Sequence, residues 1–118
     1  MLHSGLEADA AEMARRFIDA FEAEAADVDT IVINAAGCGS TLKQYGHLLR
    51  DDPVYAERAR ALAVKCTDIS ELLDELEPRA PRHPIPLRVA YHDACHLQHA
   101  QGVSAEPRRV LGTIPELE

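Results

Sequence analysis

The stretch RVAYHDACHLQHAQG, Arg88 to Gly102, decides how the rest of the chain is read. Its apolar start, Arg88 to His92, predicts a short strand. The strand stops at a polar turn carrying Cys95, and the chain restarts as a helix. A second stretch, TIVINAAGCGSTLK (Thr30 to Lys43), follows the same plan of strand, turn, cysteine and helix. Thr30 to Ala35 is β-branched without alternation, which suits a strand covered on both faces, as in a parallel sheet. Gly37, Gly39 and Ser40 predict a tight turn, with Ser40 or Thr41 capping a helix that runs to about Leu49.

Outward from these stretches the pattern is helical. Leu6 to Ala26 places Leu6, Ala10, Met13, Phe17, Phe21 and Ala25 on one face of an amphipathic helix. Asp51-Asp52-Pro53 opens a helix with Val54, Ala59, Leu62 and Ala63 inward. Asp68-Ile69-Ser70-Glu71 reads as a capping box for a helix that turns Ile69, Leu72, Leu73 and Leu76 inward. Between Glu77 and Pro86, prolines at positions 78, 81, 84 and 86 predict an extended connector. A last short helix opens at Pro107 and ends at Pro115. The order α-β-α-α-α-β-α predicts an α/β fold: a small parallel sheet flanked by helices.

A chain of 118 residues supports one modest core. A net charge of −8 argues against non-specific binding to nucleic acid or to anionic membrane. No apolar run has membrane-spanning length, and the simplest reading is cytoplasmic. Three cysteines suit a reducing compartment better than a disulfide framework. There, lone thiols are packed residues, nucleophiles or metal ligands.

Functional groups collect at the carboxyl ends of strands in open parallel sheets. Cys38 and Cys95 both fall there, each near a helix start whose dipole suits an anionic sulfur. If the strands are neighbours, the sulfurs converge on one edge; the alternative is two unrelated turn cysteines. His92, Cys95, His96 and His99 form the pattern H-x-x-C-H-x-x-H, so zinc held by Cys95, His96 and His99, together with Cys38, is a second reading. His92 and Asp93 beside Cys95 invite a general acid–base reading, but nothing upstream supplies an oxyanion hole. Asp93 reads better as a helix N-cap. Cys66, at an Ala-rich helix end, reads as a packed, inert thiol. Tyr45, His47 and Tyr91 could line the same edge, although a Tyr on a helix flank is usually packing. Gly37 and Gly39 do not make a phosphate loop, because no Lys-Ser/Thr follows at the required spacing.

The segments NAAGCGSTLKQYGHLLRDDP and RVAYHDACHLQHAQG closely resemble the cysteine-rich, CCG-domain family. That family includes the iron–sulfur subunits of glycolate oxidase (glycolate dehydrogenase), the B subunit of heterodisulfide reductase and lactate-utilisation proteins. The resemblance runs over nearly the whole chain. It implies that Cys38 is the last cysteine of a first CCG domain and Cys95 the opening cysteine of a second. Ala35 stands where another cysteine of the first motif would be. The family's Cys-Cys-Gly motifs and its ferredoxin-like domain do not occur in these residues. By resemblance, residues 1–77 form the back half of one CCG domain, 78–87 a Pro-rich linker, and 88–118 the front of the next.

The resemblance further implies an iron–sulfur electron-transfer role. A flavin-containing subunit would oxidise glycolate and pass electrons toward an acceptor at the inner membrane, reached peripherally through partners. Cys38 and Cys95 become the cofactor ligands, with His92, Asp93 and His96 supporting Cys95. Two thiolates fall short of the four that a four-iron cluster normally takes, so the chain alone is expected to hold no stable cluster. The rest of its own subunit is then an expected partner. A structural remnant without ligand is a third reading, whose mark would be exposed apolar surface and self-association.

Overall fold

The structure, a computed structural model, describes residues 6–118. The chain forms two compact units, one comprising the residues through Ile31 together with Thr41–Cys66, the other Val32–Ser40 with Thr67–Glu118.

The first unit is helical. Helix α1 spans Glu7–Ala25, close to the span its periodicity predicts, and buries Ala10, Ala14 and Ile18. This stripe is rotated from the expected one: Ala10 is shared, but Met13 is 53% exposed and Phe17 39%. The small side chains at positions 10 and 14 allow close approach, and the larger ones flank the seam. Phe17 meets Tyr45 edge to face, ring centroids 6.2 Å apart. Helix α3 is the short Tyr45–Leu48, and α4 spans Ala56–Lys65 with Ala59 and Leu62 buried. Asp52 organises the entry to α4, its carboxylate accepting from the amides of Val54 and Tyr55 at 3.0 Å each. The helix starts three residues after Pro53 because 53–55 close as a turn first, and Val54 faces solvent. Arg58 ties α4 to α1, donating to Asp19 at 2.6 Å and Glu22 at 2.7 Å while stacking over Tyr55 at 4.4 Å.

The sheet has two strands, β1 (Ile31–Ile33) and β2 (Cys66–Asp68), paired in parallel and joined through helices. The α/β architecture with a small parallel sheet flanked by helices is therefore as expected. Its second strand is not. Residues 88–92 are irregular, and the neighbour of β1 is the three-residue β2. The reason is a missing ladder. Around position 88 the backbone pairs with the last residues, through a parallel bridge of Leu87 with Leu117 and a bond from the Val89 amide to the Glu118 carbonyl at 2.7 Å. Leu87 and Val89 stay about half exposed.

Asp68 ends β2 and caps α5 (Ile69–Glu75). The capping box is present: the Asp68 carboxylate accepts from the Ser70 amide at 2.9 Å, and the Asp68 amide donates to Glu71 at 2.8 Å. The inward face expected for α5 is not realised, since no residue of the helix is buried and Ile69, Leu73 and Leu76 are exposed. Helix α6 spans Ala105–Gly112, with Pro107 buried in its first turn, where the missing amide costs nothing. Arg109 of α6 pairs with Asp74 of α5 at 2.6 Å. No described helix is long and apolar enough to cross a membrane.

Candidate functional site

Cys38 lies on α2, which spans Ala36–Lys43 and starts earlier than the glycines suggested. Gly37 and Gly39 are helical residues, and the Ser40 hydroxyl donates back to the Gly37 carbonyl at 2.9 Å instead of capping the helix. The amide of Gly39 closes the first turn onto the Ala35 carbonyl at 2.8 Å. Cys38 thus sits in the opening turn of α2, two residues past its start, with its side chain exposed. Gly39 and Ser40 are the buried side of that turn.

Cys95 opens a π-helix, His96–Ala100, and is also exposed. This wide helix, a form concentrated at functional sites, buries only Leu97. It ends at Gly102, whose φ of +74° only glycine adopts without strain, and the Val103 amide then returns to the Leu97 carbonyl at 3.1 Å. Leu97 and Val103 are both buried, so this closure is anchored in the core of its unit.

The starts of α2 and the π-helix approach one another. Ala36, two residues before Cys38, and Ala94, one before Cys95, line a single shallow cavity of about 300 Å³ with Asn34, Asp68, Tyr91 and Leu97. A direct bond spans the same two elements: the Gln101 amide nitrogen donates to the Ala36 carbonyl at 2.9 Å. Nothing in the sequence reading singled out Gln101; the signal available was its place just before a helix-ending glycine.

Around Cys95 the polar groups are divided. The sulfur lies 3.5 Å from Nδ1 of His96. Asp93, expected as an N-cap, is held instead by Arg108, whose two terminal nitrogens reach its oxygens at 2.8 and 2.6 Å. That pairing keeps the Asp93 carboxyl below its ordinary range, so it stands as an ionised anchor for Arg108. The arginine also lies over the Tyr91 ring at 5.2 Å. Among the described residues no three His, Cys, Asp or Glu side chains gather closely enough to hold a metal ion. Neither Cys95, His96 and His99 with Cys38, nor Cys38 and Cys95 with His92 and His96, forms a ready-made metal cage.

Cys66 differs from the other two thiols. It is buried at the start of β2, its thiol donates to the Leu62 carbonyl at 3.4 Å, and burial raises its pKa. It is a packed thiol, as its sequence context indicated.

A family model described as cysteine-rich domain (CCG) matches residues 1–43 and 89–118. The chain belongs to the cysteine-rich CCG domain family. The two matched stretches carry Cys38 and Cys95. Relatives of the CCG chain include the probable glycolate oxidase iron–sulfur subunit of Bacillus subtilis, 42% identical over 98% of this chain and 26% of the relative. The glycolate oxidase iron–sulfur subunit of Escherichia coli is 41% identical over 83% of this chain and 24% of its own length. Lactate utilization protein A of an Exiguobacterium strain is 32% identical over 98% of this chain and 46% of its own length. The chain therefore spans about a quarter of the glycolate oxidase subunits and just under half of the lactate utilization protein. No solved structure matches it.

An iron–sulfur cluster held by cysteine takes four thiolates. The chain has three cysteines, of which one is buried in a hydrogen bond. The residues present do not complete such a site by themselves.

Proposed function

We propose that this chain is part of an iron–sulfur electron-transfer subunit of the glycolate oxidase type, and that Cys38 and Cys95 are the ligands it contributes. On this reading the other ligands come from parts of the same subunit beyond these residues. Residues 1–77 belong to one CCG domain, 78–87 are the linker and 88–118 begin the next. The chemistry at the substrate belongs to a flavin-containing partner oxidising glycolate or a related 2-hydroxy acid, and the bound cluster would relay its electrons.

The observation that carries the reading is the pairing of the two helix starts. Two exposed thiols, one on each matched stretch of the CCG family, lie within two residues of positions that line one cavity. The third cysteine is withdrawn into the interior. Within this arrangement the chain's own residues have separable tasks. The first turn of α2 presents Cys38, the π-helix presents Cys95, and the Arg108–Asp93 pair fixes the segment leading into Cys95.

Anaerobic reconstitution of the 118-residue chain with iron and sulfide tests the shared-ligand reading. We expect no stoichiometric cluster by visible absorption, iron analysis or EPR. One four-iron cluster per chain would overturn it, as would a chain purified with one tetrahedral zinc on sulfur and nitrogen.

A further inference from the structure

Gln101 lies six residues past Cys95 in the second cysteine-bearing stretch, and its side chain reaches across to the element that carries Cys38. Its Nε2 donates to the carbonyl of Ala36, the first residue of α2, at 2.9 Å. The sequence around it is shaped to permit this. Gly39 is buried beneath the amide, and a Cβ built there would fall 2.8 Å from Gln101 Nε2. Gly102, at φ +74°, turns the backbone immediately after Gln101 and leaves Val103 to close onto Leu97. The amide is therefore held from three directions: a carbonyl ahead, a bare backbone below and a locked turn behind.

Only one end of the Gln101 amide is engaged in this contact. Its Oε1 is buried and accepts no hydrogen bond among the described residues. Leaving a buried acceptor unpaired costs about as much as the neighbouring bond returns. The bond that the amide does make spans two particular elements, so its distinctive effect is on their relative position.

We propose that Gln101 is a positioning residue that sets the separation between Cys38 and Cys95. The bond fixes the first turn of α2 against the last residue of the helical segment that Cys95 opens. The thiols ride on those two pieces, so the amide sets how far apart they are held before any ligand binds. This deepens the reading of the two cysteines as a ligand pair and rests on it.

The test needs no cluster. Nitroxide labels on the two exposed thiols of the full chain, with Cys66 left buried, allow the short Cys38–Cys95 distance to be read from dipolar broadening of frozen-solution continuous-wave EPR spectra. We expect one narrow distribution in the wild type. Gln101→Met keeps length and volume but cannot donate, and Gln101→Glu keeps shape but presents a carboxylate to the Ala36 carbonyl; both should lose the narrow population. Gly39→Ala should lose it too, by displacing the amide. Circular dichroism identifies any variant that has unfolded, and the remaining variants decide the matter. A wild-type distribution that is already broad overturns the proposal, as does a narrow one retained by folded Gln101→Met and Gln101→Glu. Either result leaves the ligand reading standing, since that is judged by iron content in the intact subunit.

Discussion

Arg108 grips Asp93 through two parallel hydrogen bonds, Nη1 to Oδ1 at 2.8 Å and Nη2 to Oδ2 at 2.6 Å. The pair joins α6 to the segment two residues before Cys95 and holds the Asp93 carboxyl below its ordinary pKa. In Arg108→Gln the carboxyl loses its largest stabilising bond, and its pKa should rise toward the ordinary aspartate value of 3.8. A carbon-13 NMR titration of the Asp93 carboxyl reads this directly. An unchanged midpoint would mean that the pair does not persist in solution.

Acid should destabilise the chain through its paired aspartates. Asp52 is held below its ordinary pKa by Arg15 and by the amides of Tyr55 and Val54, Asp19 by Arg58 and Tyr55, and Asp74 by Arg109. Each is lowered in the folded chain, so its contribution is complete above 3.8 and disappears as pH falls from there through the folded value. The melting temperature should be flat at mildly acidic pH and decline modestly below about pH 4, since these pairs are screened by solvent. In Asp52→Asn that decline should be shallower.

The buried stripe of α1 makes opposite demands at two apolar positions. Ile18 is fully buried and Met13 is about half exposed. Ile18→Ala should cost about 2–5 kcal/mol in urea unfolding through the lost contacts and the cavity. Met13→Ala should stay within about 0.5 kcal/mol. Equal losses would return the helix to the face that its simplest periodicity suggests.

Gly102 is a backbone requirement rather than a packing one. A Cβ at this position would meet nothing within 4 Å, yet the φ of +74° disfavours any side chain. Gly102→Ala should therefore cost about 1–2 kcal/mol with the fold retained. A neutral substitution would show that the π-helix does not end in this turn.

What the sequence reveals here is what local chemistry controls. Leu6 to Ala26 carries its own periodicity and becomes α1 within a residue at each end. Asp68 to Glu71 carries a reciprocal pair of hydrogen bonds and becomes a capping box. The strands depend on partners distant in the chain, and there the reading divides. Thr30 to Ala35 contains β1, whereas the apolar run at 88–92 has no ladder and is irregular. Cys66–Asp68, too short and polar to stand out, takes the place beside β1. The candidate site divides the same way. Cys38 and Cys95 stand out by residue type, while Gln101 becomes visible only when the carbonyl it reaches, 65 positions away, is in place.

The most direct measurement is iron content with EPR on the intact subunit containing this segment, reconstituted anaerobically with each cysteine replaced in turn. Cys38→Ser and Cys95→Ser should each lose or alter the same cluster signal, with iron lowered by the same amount, while Cys66→Ser keeps both. Full iron and an unaltered spectrum in Cys38→Ser and Cys95→Ser would contradict the assignment of this thiol pair.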